Sequence, residues 1–388
     1  MTPSQKNKAI EFYDKVAENY EGIDITITGH SLGGALAQYV ASLKQEPAIT
    51  FEAPGIDIPS GGTSENIINY VNMNDPVGSY REHIGETRYY IADGMYADSK
   101  DKNGQPNNEF KPHSDYLDQD FSKYITLPEG YSWNASKALA LYLYDVKNDS
   151  NLAGDAVQSL KTLFGLTSNT LKEAVETVQA VFGESNRLEE VKKYKDGDTS
   201  YILGSGSGED LEVGTSSYNI IYGNGGNDSI TGKSGIDVMY GGDGNDTLMG
   251  DLGDDTLIVG KGFDTYRFYS GDGNDTVTDD AGIDDVIRFD NSVESSNIAI
   301  FKDGNDLIID YGTALGEDSI TVKNQELENN TVERIQLSDG KYLSNEDINK
   351  IIQNMTSYAA NNGIEFTNIE SVKNNEDLMN LVASSWHM

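Results

Sequence analysis

Gly29-His30-Ser31-Leu32-Gly33 sets one serine between two glycines. Glycine lets a chain turn sharply without side-chain clashes, so this spacing lifts the Ser31 hydroxyl clear of its neighbours. Such a hydroxyl can attack an acyl carbonyl, but serine alone is a poor nucleophile. A base must take its proton, and a carboxylate must orient that base. Four histidines compete for the base: His30, His83, His113 and His387. His30 adjoins the serine and His387 lies in the tail, which leaves His113 and His83. Candidates for the acid are Asp75, Asp93, Asp98 and Asp115. A phosphate-cradling loop is excluded, since no lysine follows the glycines.

A second chemistry is written as arithmetic. Asp210, Asn219, Asp228, Asp237, Asp246, Asp255 and Asp264 stand nine residues apart, and Asp275 follows two residues out of step. Gly241-Gly242-Asp243-Gly244-Asn245-Asp246 is the cleanest unit. Gly206, Gly208, Gly223, Gly225, Gly232 and Gly250 take turn positions in the looser ones. Glycines leave carbonyls bare and each aspartate adds a hard carboxylate oxygen, which is the donor set calcium takes. The apolar residue two places after each aspartate (Ile230, Met239, Leu248, Leu257, Tyr266) is expected to face inward from a short strand. Two nonapeptides then make one turn of a flattened coil, and pairs such as Asp228/Asp246 and Asp237/Asp255 stack. Asn219 lacks the charge, so its loop is expected to be a weak or empty site. The array resembles the repeats-in-toxin family, a parallel β-roll that takes Ca2+ as its cofactor.

Positioning Ser31 requires a strand before it and a helix after it. Ile23, Ile25 and Ile27 alternate with polar residues and predict the strand. Ala35 to Leu43 is rich in helix formers, and Ala9, Phe12, Tyr13 and Val16 recur at helical spacing upstream. Ala48–Phe51 and Ile67–Met73 predict further strands. Alternating strands and helices imply an α/β layer fold over about the first 150 residues. Helical spacing continues from Gly154 to about Lys195. The composition shifts near Tyr201, with 18 of the 40 glycines lying between 201 and 275. Ser344 and Asp347 form a capping-box pair for a last helix whose apolar face is Ile348, Ile351, Ile352 and Met355.

The serine motif, with Ile25-Thr26-Ile27-Thr28 before it and Gly34-Ala35-Leu36-Ala37 after it, resembles the class 3 (fungal-type) lipases of the α/β-hydrolase fold. Phe51-Glu52-Ala53-Pro54-Gly55 and Asn74-Asp75-Pro76-Val77 look like later landmarks of that family. The resemblance covers about residues 8–120. It implies Ser31 as nucleophile, Asp75 as acid, and His113, within His113-Ser114-Asp115-Tyr116, as base. The Leu32 N–H is then one oxyanion donor. The family draws its second donor from a strand and loop upstream of the elbow. The 28 residues before Gly29 hold one helix, so an N-terminally truncated domain is expected.

The whole reading is a multidomain chain. A partial α/β-hydrolase domain (1–150) leads through a helical linker (151–200) to a parallel β-roll of calcium-binding nonapeptides (201–290). A β-rich cap (291–343) and a C-terminal helical tail (344–388) follow. That tail resembles the secretion signals of repeats-in-toxin proteins, which leave Gram-negative cells through a type I apparatus, an ABC-transporter channel. With 28 basic against 64 acidic residues, a formal charge of −36, the chain is a poor partner for nucleic acid. No apolar run is long enough for a transmembrane span. Zero cysteines exclude disulfides and thiolate sites. The expected function is a secreted, extracellular, calcium-dependent serine ester hydrolase acting on lipid acyl esters, as a triacylglycerol lipase or phospholipase A. The alternative is a toxin- or adhesin-like calcium-binding exoprotein whose hydrolase domain is vestigial. A pore-forming cytotoxin is disfavoured, because no long apolar helical region precedes the repeats.

Overall fold

The structure, a computed structural model, describes residues 1–73, 75–90, 126–127, 131–149, 158, 161–163, 165–183, 188, 191–213, 216–279, 282, 284–314, 317–325, 331–364 and 368–388. The chain divides into two compact units, Met1–Phe182 and Gly183–Met388.

In the first unit, helix α1 (Pro3–Asn19) opens on a capping box. The Thr2 N–H donates to Gln5 Oε1 (2.7 Å), and the Gln5 N–H donates to the Thr2 hydroxyl. Strands β1 (Ile27–His30), β2 (Ala48–Phe51), β3 (Ile67–Asn72) and β4 (Glu86–Tyr90) form a parallel sheet in that order. Helix α2 (Ser31–Lys44) follows β1 directly and buries Ala35, Ala37, Val40 and Ala41. Small alanines let it sit close over Ala48 and Ile67. One expectation is corrected here. The first strand begins at Ile27 and leaves Ile23 64% exposed, because the ladder starts at Ile27 N–H to Pro47 O. The α1 helix is present at the expected place, with Phe12 70% exposed, and Tyr13 and Asp14 bond to Glu46 and Lys44. Helices α3 (Ala135–Asp149) and α4 (Ser168–Val178) pack together, with Leu171, Ala174 and Val178 fully buried.

The second unit begins with a correction to the helical reading. Lys192–Asp196 is strand β5, joined to β6 (Thr199–Leu203) by Gly197 and Asp198. Gly197 holds φ 61°, as a tight two-residue hairpin turn requires. Lys192 and Tyr194 are buried and Lys193 is exposed, a period of two rather than 3.6.

From β6 the chain winds as a flattened coil. One wall is β6, β8 (Tyr218–Gly225), β10 (Ile236–Asp243), β12 (Thr256–Val259), β14 (Asn274–Asp279) and β18 (Ser319–Val322), all parallel. The other is β7 (Asp210–Glu212), β9 (Ser229–Thr231), β11 (Thr247–Met249), β13 (Thr265–Phe268), β15 (Val286–Phe289) and β19 (Arg334–Gln336). Register follows the 18-residue turn: Ile221 pairs with Met239, Met239 with Leu257, and Ile230 with Leu248. Ile230, Met239, Leu248, Leu257 and Tyr266 have no exposed surface and form the core between the walls. An antiparallel hairpin, β16 (Ala299–Asp303) and β17 (Asp306–Asp310), extends the first wall, and β20 (Tyr342–Ser344) closes the second.

Turns of the coil approach closely enough to require glycine. A Cβ on Gly244, at φ 143°, lies 1.5 Å from the Gly226 carbonyl oxygen in the preceding turn. Gly244→Ala is therefore expected to destabilise the second unit by about 3 kcal/mol, read as a lower urea midpoint.

Three helices cover the far end: α5 (Asn345–Asn362), α6 (Ile369–Lys373) and α7 (Glu376–Ser384). The Ser344/Asp347 capping box is present, and Ile348, Ile351 and Met355 are buried. Val372, Leu378 and Val382 join the same core, and the His387 backbone pairs with Tyr342. No described helix is long and apolar enough to cross a membrane.

Candidate functional site

Parallel strands gather their carboxyl ends on one edge, where α/β proteins bind ligands. His30, Phe51 and Tyr70 are aligned across β1, β2 and β3, so Ser31, Glu52 and Asp75 all follow on that edge. Ser31 is the first residue of α2 and adopts φ 53°, a conformation rare for a side chain with a Cβ. Close packing of Gly29 and Gly34 holds the turn. A Cβ on Gly29 falls 2.5 Å from the Gly33 carbonyl oxygen, and one on Gly34 falls 2.5 Å from the Ala53 Cβ. The turn is thus a strained strand-to-helix elbow presenting a hydroxyl. Leu32 is 43% exposed in the first helical turn, where backbone N–H groups have no intrahelical acceptor.

Asp75 is fully buried. The Val77 N–H donates to its Oδ1 and the Gly78 N–H to its Oδ2, both at 2.9 Å. His83 is tied into the scaffold. Its Nε2 lies 2.7 Å from the Ala53 carbonyl, the Gly78 backbone faces the ring as a second partner, and burial lowers its pKa. His387 is in the tail, 3.1 Å from Asp347. His113, Asp93, Asp98 and Asp115 lie outside the described residues.

Glu52, which the sequence reading names only within a landmark and to which it gives no role, stands on the same edge. It is fully buried, sits at φ 48°, and accepts hydrogen bonds from the Asn72 N–H and the Tyr90 hydroxyl. It also hydrogen-bonds Asp75; burial first, then the Asp75 charge, raises its pKa well above the usual carboxylate range. Its signal was an acidic residue directly after a predicted strand, in Phe51-Glu52-Ala53.

In the second unit the aspartates of successive turns are linked. The Asp228 N–H donates to Asp246 Oδ1 (2.8 Å), and the Asp237 N–H to Asp255 Oδ1 (2.8 Å). The Asp246 N–H donates to Asp264 Oδ1 (2.7 Å), and the Asp255 N–H to Asp275 Oδ1 (3.0 Å). The two-residue offset at Asp275 is absorbed in the turn before β14, which pairs Thr256 with Thr276. The other oxygen, Oδ2, of Asp228, Asp237, Asp246, Asp255, Asp264 and Asp275 is buried with no hydrogen-bond partner. Each of four such oxygens faces a bare glycine. A Cβ on Gly223, Gly232, Gly241 or Gly250 falls between 2.2 and 2.6 Å from Oδ2 of Asp228, Asp237, Asp246 or Asp255. Burial is the main cause that pushes Asp228, Asp255 and Asp264 up to about 7, Asp237 to about 6 and Asp275 to about 8.

A buried anionic oxygen without a donor is costly, and a cation removes the cost. Among the described residues no three His, Asp or Glu side chains converge. The donor set is one carboxylate per loop amid backbone carbonyls, which fits calcium and not a nitrogen-seeking metal. Gly242 and Gly244 close on the Asn224 and Gly226 carbonyls of the turn before. Gly208 closes on the Asn227 carbonyl, while Gly206 donates its N–H to the Leu188 carbonyl and Gly225 its N–H to Ser205. Asn219 holds the aspartate phase and donates to Asp237 Oδ1 at 2.6 Å.

Asp210 is corrected. It is exposed and pairs with Ser229, and Glu209 takes the phase of the stack through its N–H to Asp228 Oδ1 (2.7 Å). The first turn is 19 residues long, since β6 pairs Thr199 with Tyr218, so counting in nines misplaces its aspartate by one. The stack also runs further than the nonapeptides. The Asp264 N–H donates to Asp285 Oδ1 (2.6 Å), and the Asp285 N–H to Glu333 (2.7 Å). Asp285-Val286-Ile287-Arg288-Phe289 echoes Asp264-Thr265-Tyr266-Arg267-Phe268, and that echo was the available signal.

Comparison with known proteins places names on both regions. Residues 5–49 match the family described as Lipase (class 3). Residues 205–239 and 231–266 match the RTX calcium-binding nonapeptide repeat. Among similar proteins are three named "Putative lipase ATG15". That of Candida glabrata is 47% identical over 51 residues, 13% of this chain and 10% of the relative. That of Eremothecium gossypii is 50% identical over 46 residues, 12% and 8%. That of Candida albicans is 40% identical over 81 residues, 18% and 14%. The chain thus spans about a tenth of the curated relatives it matches. Among solved structures, the extracellular lipase LipA of Serratia marcescens aligns at 15% identity over 86% of this chain and 70% of that one. Its TM-score of 0.19 is too low to indicate a shared arrangement. The chain therefore contains a segment around the Ser31 elbow that matches the class 3 lipases, together with repeats that match the RTX calcium-binding nonapeptide.

Proposed function

We propose that this protein is a secreted, calcium-dependent serine hydrolase that cleaves lipid acyl esters. The observation that carries the reading is Ser31 at φ 53° on an elbow held by the close packing of Gly29 and Gly34. Ser31 Oγ attacks the acyl carbonyl, and His113 takes its proton and passes it to the leaving alcohol. Asp75 holds the imidazole in the productive tautomer. The Leu32 N–H donates to the developing oxyanion, and water then releases the acid by the same relay. Calcium, when bound among the stacked aspartates, neutralises their charge and supports the second unit. Hydrolysis of a short-chain nitrophenyl ester in calcium, together with fluorophosphonate labelling of Ser31, tests the reading. A calcium-binding exoprotein with no hydrolase activity gives neither signal.

Export through a type I channel is part of the same proposal, with residues 344–388 as the signal. Deleting them also removes Val372, Leu378 and Val382 from the core, so deletion alone confounds export with folding. Fusing 344–388 to an unrelated passenger is the cleaner test. The passenger is expected in the medium only when the transporter is present.

A further inference from the structure

We propose that Glu52 is the positioning residue of the catalytic edge: its carboxyl group is clamped at the end of β2 and hydrogen-bonds to Asp75, holding that carboxylate against the elbow. The inference rests on the hydrolase reading, with Asp75 as the acid.

The geometry has three parts. Glu52 Oε1 accepts from the Tyr90 hydroxyl, and the Asn72 N–H reaches both carboxyl oxygens at 3.1 Å. Glu52 Oε2 and Asp75 Oδ2 converge, each 2.8 Å from the point where a Cβ on Gly78 would stand. The Glu52 backbone is locked at φ 48°, its N–H donating to the Tyr70 carbonyl at 3.0 Å. A side chain held in a strained conformation, fully buried and donor-clamped, has one orientation available.

Two buried carboxyl groups form a hydrogen bond only by sharing a proton. Asp75 receives two backbone N–H groups, one on each carboxylate oxygen. Full burial is the chief cause that holds the shared proton on Glu52. Among the described residues the titratable groups facing Glu52 are Asp75, from the loop after β3, and Tyr90, from β4. His83 stands beside them on the Ala53 carbonyl. On this arrangement, raising the pH removes the shared proton, sets two carboxylates against each other and displaces Asp75.

The test uses the full chain with calcium. Glu52→Gln keeps a neutral donor toward Asp75 but has no proton to lose as the pH rises. Its decisive effect is on the pH profile: the wild-type fall in kcat on the alkaline side is expected to disappear. Glu52→Ala is expected to lower kcat by ~10²-fold with KM nearly unchanged, since a misplaced acid costs orientation and not binding. Gly78→Ala, which pushes a methyl between the two oxygens, is expected to behave likewise while leaving both carboxyls in the chain. Infrared difference spectra of wild type against Glu52→Gln report the proton directly, as a protonated-carboxyl band at pH 7 that the variant lacks. An unchanged alkaline limb in Glu52→Gln, or no such band, overturns the proposal. Absence of both ester hydrolysis and fluorophosphonate labelling in wild type sinks the hydrolase reading instead, and the infrared band then still decides whether the pair shares a proton.

Discussion

Ser31→Ala is expected to reduce ester hydrolysis on the order of 10⁶-fold, to background, while the fold survives. The side chain removed is small and sits on the edge of the sheet, so no core contact is lost with it. A companion variant makes the prediction more demanding. At an ordinary helical position glycine is about 1 kcal/mol worse than alanine. Ser31 is at φ 53°, where a Cβ costs about 1–2 kcal/mol and glycine costs none of it. Ser31→Gly is therefore expected to be as inactive as Ser31→Ala yet more stable by about 1 kcal/mol, read from paired urea transitions. The ordinary order, alanine above glycine, contradicts the elbow and with it the reading of Ser31 as a presented nucleophile.

Chelation of calcium is expected to abolish the β signal of the second unit in far-ultraviolet circular dichroism and leave the α2-containing unit comparatively intact. Oδ2 of Asp228, Asp237, Asp246, Asp255, Asp264 and Asp275 is buried without a donor, along two ladders that link successive turns of the coil. Leaving one such group uncompensated costs about 1–3 kcal/mol, more when charged, and a domain has only about 5–15 kcal/mol to lose. The sum exceeds the margin, so the calcium-free coil does not stay folded at neutral pH.

The acid response has a definite sign. Burial, the chief cause, pushes Asp228, Asp237, Asp255, Asp264 and Asp275 up to between about 6 and about 8 in the folded coil, and Asp246 up as well, against about 4 when unfolded. A carboxyl whose folded pKa is raised binds more protons folded than unfolded. Its penalty is absent below about pH 4, grows as pH rises, and is complete above about pH 8. The calcium-free protein is thus expected to regain stability on acidification from pH 8 toward pH 5. The calcium-loaded protein, its carboxylates ionised by the metal when folded and by their ordinary pKa when unfolded, is expected to change little in stability over the same interval. A shared pH dependence in the two forms contradicts this account.

The repeat was legible because its cause is local and periodic. An aspartate every nine residues and an apolar residue two places on specify which side chains face inward, before any long-range contact is known. Ile230, Met239, Leu248, Leu257 and Tyr266 are buried for that reason. Register at the ends was not legible. Asp210 falls out of the stack because the first turn has 19 residues, and Asp285 and Glu333 enter it from beyond the motif. Turn length is set by how successive coils dock, and a count along the chain does not contain it. The strand at Lys192–Asp196 was hidden in the same way, since it exists only because β6 offers an edge to pair with.

At the edge that carries Ser31, Gly29 and Gly34 and the serine itself carry the turn in their own types, so sequence alone determined that a strand would pass into a helix at this serine. Only the tertiary structure decided what stands around it. Parallel pairing of β1, β2 and β3 brings Glu52 and Asp75 to the edge that carries Ser31, although they lie 21 and 44 residues away from it. Whether a carboxyl group is an exposed charge or a buried, proton-sharing partner depends on which strand ends are neighbours. That is a property of sheet order, which no residue type records.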